Sequence, residues 1–507
     1  MSDRAPLSAE IVESMCARID ASNLPEHDRI LIKAALRDYV RLGQTFLEKS
    51  ESITRLLRMI FGSTEKASKI IPELKKMARP RRDKRKGHGR NGASSYRGDR
   101  KVTVSHASLK KGNVCPGCQK GKVYPTTPGV TVRISGSAPL AATSFELEKL
   151  RCNLCGEVFT AKLDARPEKY DATAGAMIAL LKYGTGVPFK RLEQLEDALG
   201  LPLPASTQWD IVEKTATPAH PAYKELVRQA AQGSLVHNDD TTVKVLADVN
   251  EGERKGTFTT GVLSVAEDKK IALFFTGHKH AGENLADLLA KRHKDLGPPI
   301  QMADALSRNV PKESSTLLAN CLAHARRNFI DVAESFPGQC RHVIEILAKV
   351  YEHDARTKEM PPEERRAYHE ARSGPLMEEL RQWMNAQFNE KRVEPNSGLG
   401  KAFSYMLNHW EPLTLFLRVP GAPIDNNAVE RSLKMAIRHR RNSLFFRTQH
   451  GAYIGDLFMS LIHTCRLSKV NPFDYLVALQ KHCREVFKNP EDWLPWTYEA
   501  TIAGASQ

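Results

Sequence analysis

Apolar residues recur with different periods along this 507-residue chain, and each period marks a different kind of element. Residues 26–62 read as one long helix: Ile32, Tyr39, Phe46, Ile53 and Ile60 recur every seven residues, Leu36 and Leu57 are companions, and Gly43 and Ser50 are gaps. Such heptads predict either a short coiled coil joining two copies or a helix packed on its own protein. Residues 171–230 keep a helical period. "DATAGAMIALLKYGTG" opens on Asp171, a good N-cap, and closes on glycines. "PFKRLEQLEDALGLPLPASTQWDIVEKTA" reads helix, turn at Gly200, N-cap at Ser206, helix, an outline shared by helix-turn-helix DNA-binding units and by any two packed helices. From 234 the period falls to two. Strands are predicted at 234–246, 256–265 and 270–277, then a helix at 282–294 and a fourth strand at 300–306. The segments that follow, among them "CLAHARRNFIDVAES" and "GKAFSYMLNHWEPLTLFL", return to helix.

Strand, strand, strand, helix, strand is the order of a ribonuclease-H-like core, in which the crossover makes the first and fourth strands neighbours. The expected fold is therefore multidomain α+β, with a ribonuclease-H-like α/β core split by a helical insertion. Seven regions are expected: 1–74 helical or coiled-coil; 75–111 basic linker; 112–165 zinc ribbon; 166–230 helical with a helix-turn-helix outline; 231–310 first part of the core; 311–420 helical insertion; 421–507 the rest of the core with C-terminal helices. A chain of this length is too long for one hydrophobic core.

Charge changes the picture. The net charge of +16 points to a polyanionic partner. No apolar stretch approaches membrane-spanning length, and "MSDRAPLSAEIVESM" lacks a signal-peptide core, so a cytoplasmic, nucleoid-associated protein bound to DNA is expected, with no membrane. Residues 75–101 carry twelve Lys or Arg against two Asp, interrupted by Gly, Pro, Ser and Asn. That composition predicts a disordered tether that touches phosphates through residues such as Lys84, Arg85 and Lys86, or else a merely solubilising linker.

Nine cysteines in a long chain do not suggest a disulfide scaffold. Four have metal spacing. Cys115 and Cys118 form one CxxC and Cys152 and Cys155 a second, with strand-like alternation between them, as in a zinc ribbon. Four thiolates would close a tetrahedral site around one structural Zn²⁺ and leave no position for substrate.

The acids carry the chemistry. Asp239 and Asp240 sit mid-strand in the first predicted strand and Asp304 in the fourth. Strand alternation lets only one of the adjacent pair face the core. Buried carboxylates placed side by side repel and must take up protons or cations, and oxygen ligands with open positions suit Mg²⁺ or Mn²⁺. A third carboxylate would allow two ions and in-line displacement at phosphorus. Glu430 is the candidate. In "PIDNNAVERSLKMAIRHRRNSLFF" the helix is expected to start near Asn426, putting Glu430 one turn in, above Lys434, Arg438 and Arg441.

These segments resemble the DDE transposases of the insertion-sequence-66 family. "HNDDTTVKVL" is similar to the first-acid motif, "QMADALSRN" to the second and "IDNNAVERSLKMAIRHRRNSLFF" to the third; "CLAHARRNFID" and "SLIHTCRLSKVNPFDYL" match segments beyond the second and third acids. The resemblance covers nearly the whole chain in order. It implies Asp239, Asp304 and Glu430 as a catalytic triad binding two Mg²⁺ (or Mn²⁺) ions, with alignment on Thr241 favouring Asp239 over Asp240. The chain departs from the family pattern in both aspartate segments: Asp240 stands for its Glu and Thr242 for its Pro, and the second-acid segment lacks the usual Gly and Tyr after the Asp. Nicking of mobile-element ends and joining to target DNA are the implied reactions, with Arg326, Arg327, Arg438, Arg440 and Arg441 positioning phosphates. The heptad points to a homodimer or larger assembly, and the resemblance implies accessory proteins from the same element as partners. Cys321 and His324 have the spacing of half a metal site, but no second pair accompanies them, so a packed or DNA-facing helix is expected there. Another ribonuclease-H-like nuclease or resolvase, or a non-catalytic DNA-binding regulator, would share much of this pattern.

Overall fold

A computed structural model describes residues 9–21, 25–30, 32–34, 36, 103–116, 118–126, 137–151, 158–162, 168–248, 256–312 and 314–505. The chain divides into two compact units, residues 65–139 and residues 1–64 with 140–507. Tyr39, Phe46, Ile53 and Ile60 of the heptad, the basic segment with Lys84, Arg85 and Lys86, and the thiols Cys152 and Cys155 lie outside the described residues. No helix of the described residues is long and apolar enough to cross a membrane.

In the smaller unit, Cys115 and Cys118 lie on a tight turn closed by an antiparallel bridge between Val114 and Lys122. The Cys115 amide donates to the Gly121 carbonyl at 2.7 Å, and Gln119 takes a left-handed φ of +56° at the corner. Amides of Gly121 and Lys120, and then Cys115, stabilise the thiolate form of Cys118 and hold its pKa below the usual thiol value.

The larger unit opens its ordered core with helices α1 (Ala172–Ala179), α2 (Phe189–Ala198) and α3 (Ala205–Ala230). Asp171 caps α1 as expected, accepting from the Thr173 and Ala174 amides, and Gly200 makes the turn after α2 at φ +82°. Helix α3 begins at Ala205, one residue before the expected cap. Ile211, Val212, Ala219, Ala222 and Leu226 bury it along much of its length, and its exposed start carries Asp210. Other exposed positions carry Lys214, Lys224 and Arg228, so α3 packs one side on the core and leaves a partly cationic side outward.

Five strands follow in one mixed sheet: β1 (Leu235–Val243), β2 (Thr257–Ala266), β3 (Lys269–Gly277), β4 (Ile300–Ala303) and β5 (Leu317–Asn320), ordered β3-β2-β1-β4-β5. The first three form the expected antiparallel meander. Helix α4 (Ala281–Leu289) carries the crossover to β4, which runs parallel to β1. Strand β5 was not expected. It pairs parallel with β4 inside the region read as all-helical insertion, so the sheet reaches into that region before the helices begin. Four residues, "LLAN", are too few to show a period.

Helices α5 (Leu322–Asp331), α6 (Pro337–Arg356), α7 (Pro362–Arg372), α8 (Gly374–Asn389) and α9 (Gly398–Asn408) then build a second core around Phe329, Leu347, Leu380 and Phe403, joined to β4 and β5 through Met302 and Ala319. The chain returns as α10 (Asn427–Ser443), α11 (Gln449–Leu467) and α12 (Pro472–Lys481) to the main core.

Alternation divides the sheet. Asp239, Gly261 and Phe274 lie in one row and face α10 and α11, while Asp240 and Thr260 face α4. Gly261 permits the close approach of α10: a Cβ there would stand 2.7 Å from Leu433 Cδ2 and 2.8 Å from its Cγ. Leu433 is buried, so Gly261→Ala should push α10 outward at a cost of about 1–3 kcal/mol. Because α10 carries Glu430, activity should fall at least about tenfold, each tenfold being about 1.4 kcal/mol, even where circular dichroism shows the fold intact.

Candidate active site

The parallel ladder between β1 and β4 pairs Leu235 with Ile300, Val236 with Gln301 and His237 with Met302. Continued two residues, the same register sets Asp239 level with Asp304. Asp239, at the middle of β1, and Asp304 then both lie just past the C-terminal end of the parallel ladder, the side on which open α/β sheets bind ligands. Asp304 lies one residue beyond β4, not inside a strand as expected.

Burial lifts the Asp239 pKa to about 7. The Asp240 amide, donating to Asp239 Oδ1 at 2.8 Å, opposes the shift, while the negative charges of Asp304, Asp240 and Glu430 add to it. The three expected acids therefore share one electrostatic field, although they come from a strand, a loop and a helix.

A buried amide network holds the Asp304 loop. Asn309 Nδ2 donates to Asp304 Oδ1. The Asn309 carbonyl in turn accepts from Asn238 Nδ2 and from Gln301 Nε2, both at 2.7 Å. Gln301 Nε2 also reaches Asn238 Oδ1 at 3.0 Å, and Thr316 donates to Gln301 Oε1 at 2.9 Å. Asn238, Gln301 and Asn309 are fully buried. The sequence reading missed all three; its one available signal was a run of polar residues at inward positions of two strands.

Glu430 is set by the start of α10. Asn426 occupies the N-cap position, as expected, but its side chain caps nothing in its own helix. It ties the helix to the sheet instead. Asn426 Nδ2 donates to the Asn238 carbonyl at 3.1 Å, its Oδ1 meets His237 Nδ1 at 2.9 Å, and its amide donates to Cys321 Sγ at 3.2 Å. Asp425 accepts from the amide and side chain of Asn427, so its carboxylate is occupied with the helix entry.

One turn on, Glu430 Oε1 lies 3.8 Å from His324 Nε2. Cys321, His324 and Glu430 offer ligand atoms within 4.8 Å of one another. Cys321 Sγ accepts the Asn426 amide, and burial pushes its thiol up to about 11, so without a metal the thiol stays protonated. Beside it an imidazole faces the third carboxylate.

Asp240 has a separate task. Its side chain is 2% exposed and accepts from Thr260 Oγ1 at 2.6 Å and from the Ala281 amide, the first of α4, at 3.0 Å, with His280 Nδ1 at 3.3 Å. Asp240→Ala orphans these donors. It should destabilise the protein by about 2–3 kcal/mol, read as a lower urea midpoint.

The expected cations divide in the same way. Lys434, Arg438 and Arg441 are exposed along one face of α10, with Arg431 in the same row, and none joins an ion pair among the described residues. Arg440 turns inward, donating to Thr241 Oγ1 at 3.0 Å and Thr242 Oγ1 at 2.9 Å, and pins α10 to the end of β1. On α5, Arg327 is exposed, while Arg326 lies over the Tyr351 ring, 5.4 Å from its centroid.

Residues 169–454, more than half of the chain, match the family described as Transposase IS66 family. Among curated relatives, all from Sinorhizobium fredii (strain NBRC 101917 / NGR234), uncharacterized protein y4jD is 27% identical over 345 residues, 65% of this chain and 66% of the relative. Uncharacterized protein y4hP is 24% identical over 387 residues, 70% and 68% of the two chains, and y4qI is 23% identical over 347 residues, 65% and 63%. The chain thus spans about two thirds of the length of these relatives. The family match covers both aspartates, the helical insertion and Glu430 in one continuous span, and the chain belongs to the IS66 family of transposases.

Proposed function

We propose that the chain is a DNA transposase whose Asp239, Asp304 and Glu430 carboxylates hold two divalent cations, Mg²⁺ or Mn²⁺, for phosphoryl transfer at the ends of a mobile element. The strand order β3-β2-β1-β4-β5 supports a ribonuclease-H-like core. One observation carries the reading: the parallel register of β1 and β4 sets Asp239 level with Asp304, and burial, with the charges of Asp304, Asp240 and Glu430 adding to it, lifts Asp239 to about 7. Such a cluster favours a cation, and its all-oxygen donors suit a hard one. The engagement of Asp240 by Thr260 and the Ala281 amide favours Asp239 as the first ligand.

Divalent ions bound there would supply Lewis-acid activation of the attacking oxygen and charge neutralisation at the leaving one. The chain's own groups do the rest. Asp239 gives up its proton as a cation binds. His324 orients Glu430. The row Arg431, Lys434, Arg438 and Arg441 holds backbone phosphates and sets the scissile one in place. Water attacks phosphorus, the bond to the 3′-oxygen breaks, and a free 3′-hydroxyl is left; that hydroxyl then attacks a target phosphodiester and displaces its 3′-oxygen.

The test is cleavage of a labelled duplex carrying the element's own ends, with Mg²⁺, Mn²⁺ or EDTA in parallel. Nicks ending in a 3′-hydroxyl in both metals and none in EDTA are expected. Binding without cleavage in every lane, with accessory proteins of the element added, would sink the proposal and leave a regulator.

A further inference from the structure

The end of α10 has a feature that the phosphate-binding row does not explain. Helix and core part at Leu444, which takes φ +68° and ψ −43° and is 67% exposed. A γ-branched side chain rarely adopts that backbone region, and here it comes with a three-residue turn in which the Phe445 amide donates to the Ser443 carbonyl at 2.8 Å. Phe445 is 42% exposed beside it. A strained turn that points two large apolar side chains at solvent persists only where its surroundings hold it.

They do. On one side, the Leu444 amide donates to the Arg440 carbonyl at 2.8 Å, Arg440 is tied to β1, and Lys182 donates to Ser443 Oγ at 2.8 Å. On the other side, Phe446 is buried, stacked 4.7 Å from His439, and its backbone pairs with Lys244 and Leu246. Gly455 leaves room for the Phe446 ring, since a Cβ there would stand 2.9 Å from it. The tip is therefore anchored at both ends.

Its surroundings are cationic. Arg431, Lys434, Arg438 and Arg441 advance along α10 by three, four and three residues, and Phe445 follows just past the end of that helix. Lys244 and Arg447, which flank the tip in the backbone, are exposed as well. A phosphate track that ends in an aromatic ring matches nucleic acid whose bases are unstacked, because the ring offers a stacking surface where the cations hold the backbone. From Glu430 to the helix end at Ser443 the chain advances thirteen residues, which at about 1.5 Å per residue is about 20 Å, or about six base pairs at about 3.4 Å each.

We propose that the Leu444–Phe445 turn is a wedge that stacks on an unpaired DNA base about six base pairs from the scissile phosphate. The proposal rests on the reading of Asp239, Asp304 and Glu430 as the cleavage site. Opening a base pair costs unstacking energy, which is least at a mismatch, so the wedge should also prefer DNA already mismatched at that position.

The experiment places 2-aminopurine, one position at a time, in the element's terminal duplex, with full-length protein at saturating concentration and Ca²⁺ in place of Mg²⁺. Wild type should raise the fluorescence several-fold at one position, about five to seven base pairs from the nick mapped in Mg²⁺. It should bind a duplex mismatched there about 3- to 10-fold more tightly than a paired one. Phe445→Ala should lose both effects and Phe445→Trp should keep them. An unchanged thermal midpoint identifies Phe445→Ala as folded, and Leu444→Gly, which relaxes the turn, is the second variant and should weaken both effects. Nicking by wild type with no fluorescence rise at any position, or a rise that survives Phe445→Ala, would overturn the wedge and leave the cleavage site standing. Loss of a larger oligomer by Phe445→Ala in sedimentation, without a change in 2-aminopurine signal, would also overturn it and make the tip a protein contact. If wild type neither binds nor nicks the ends, both readings fall together.

Discussion

Glu430→Gln should cut metal-dependent nicking by about 1000-fold or more while the protein still folds and still binds the element ends. The glutamine keeps the shape and one acceptor oxygen but loses the charge that a cation needs. Lewis-acid stabilisation of the transition state is worth several kcal/mol, and each 1.4 kcal/mol is about tenfold in rate, so about 1000-fold is a lower expectation. The fold should survive because the Glu430 side chain is 33% exposed and, among the described residues, its side chain meets only His324 within ion-pair distance, at 3.8 Å. Initial rates of 3′-end nicking in Mg²⁺, with DNA affinity measured in parallel, check the result. A variant that nicks as fast as wild type would remove Glu430 from the metal-binding set. Asp304→Asn should behave in the same way.

Asp239→Asn should abolish nicking and, without metal, make the protein more stable, increasingly so as pH rises. The unfolded aspartate titrates near about 3.9, whereas the folded one is lifted to about 7, chiefly by burial. Between those values the folded state holds a proton that the unfolded state has released. Stability contributed by this group is therefore full below about 4, falls as pH rises through the window, and is lost above about 7. The full shift corresponds to about 4 kcal/mol; for a partly exposed group sharing its field with three other acids, about 1–3 kcal/mol is the working range. Asn carries no charge to bury, so Asp239→Asn should match wild type below about pH 4 and exceed its thermal midpoint by about 2–6 °C at pH 8. Asp456, buried against Thr276 and also lifted to about 7, contributes the same trend to both proteins and cancels in the comparison. Mg²⁺ should reverse the order at pH 8, raising the wild-type midpoint and leaving that of Asp239→Asn nearly unchanged. Equal midpoints at pH 8 without metal would mean that the carboxylate is solvated and not the strained ligand described above.

These two results separate what a carboxylate does in catalysis from what it costs in the fold. They also bear on the neighbouring residue. Asp239 and Asp240 are chemically alike and adjacent, yet one faces Asp304 and Glu430 and the other caps α4. Substituting them should move activity and stability in different combinations: Asp239→Asn inactive and more stable, Asp240→Ala destabilised first and inactive only so far as α4 and β1 are displaced.

The parts of this protein that were legible in its sequence are those governed by neighbours in the chain. The period-2 runs at 234–246, 256–265 and 270–277 became β1, β2 and β3 within a few residues, because alternation follows from burying one side of a strand. Asp171 marked a helix start because the first turn of any helix leaves amides without partners, and its side chain accepts two of them; Asn426 marked one too, although its side chain bonds to the sheet instead. Family membership was legible in the long segment from Ile424 to Phe446 because many residues there match in order.

Local pattern was silent on partners far along the chain. Strand β5 exists because β4 offers it an edge, not because "LLAN" carries a period. Arg440 read as one more cation in a basic run, until folding brought Thr241 and Thr242, nearly two hundred residues earlier, within hydrogen-bond reach. Asn238, Gln301 and Asn309 looked like stray polar residues, and only folding shows what their amides bond: Gln301 meets Asn238, both donate to the Asn309 backbone carbonyl, and Asn309 Nδ2 reaches Asp304. Residue type and spacing determined which carboxylates and cations this chain possesses. The tertiary structure decided which of them meet and which are consumed by the fold, because a hydrogen bond or a shared field depends on distance in space and not on distance along the chain.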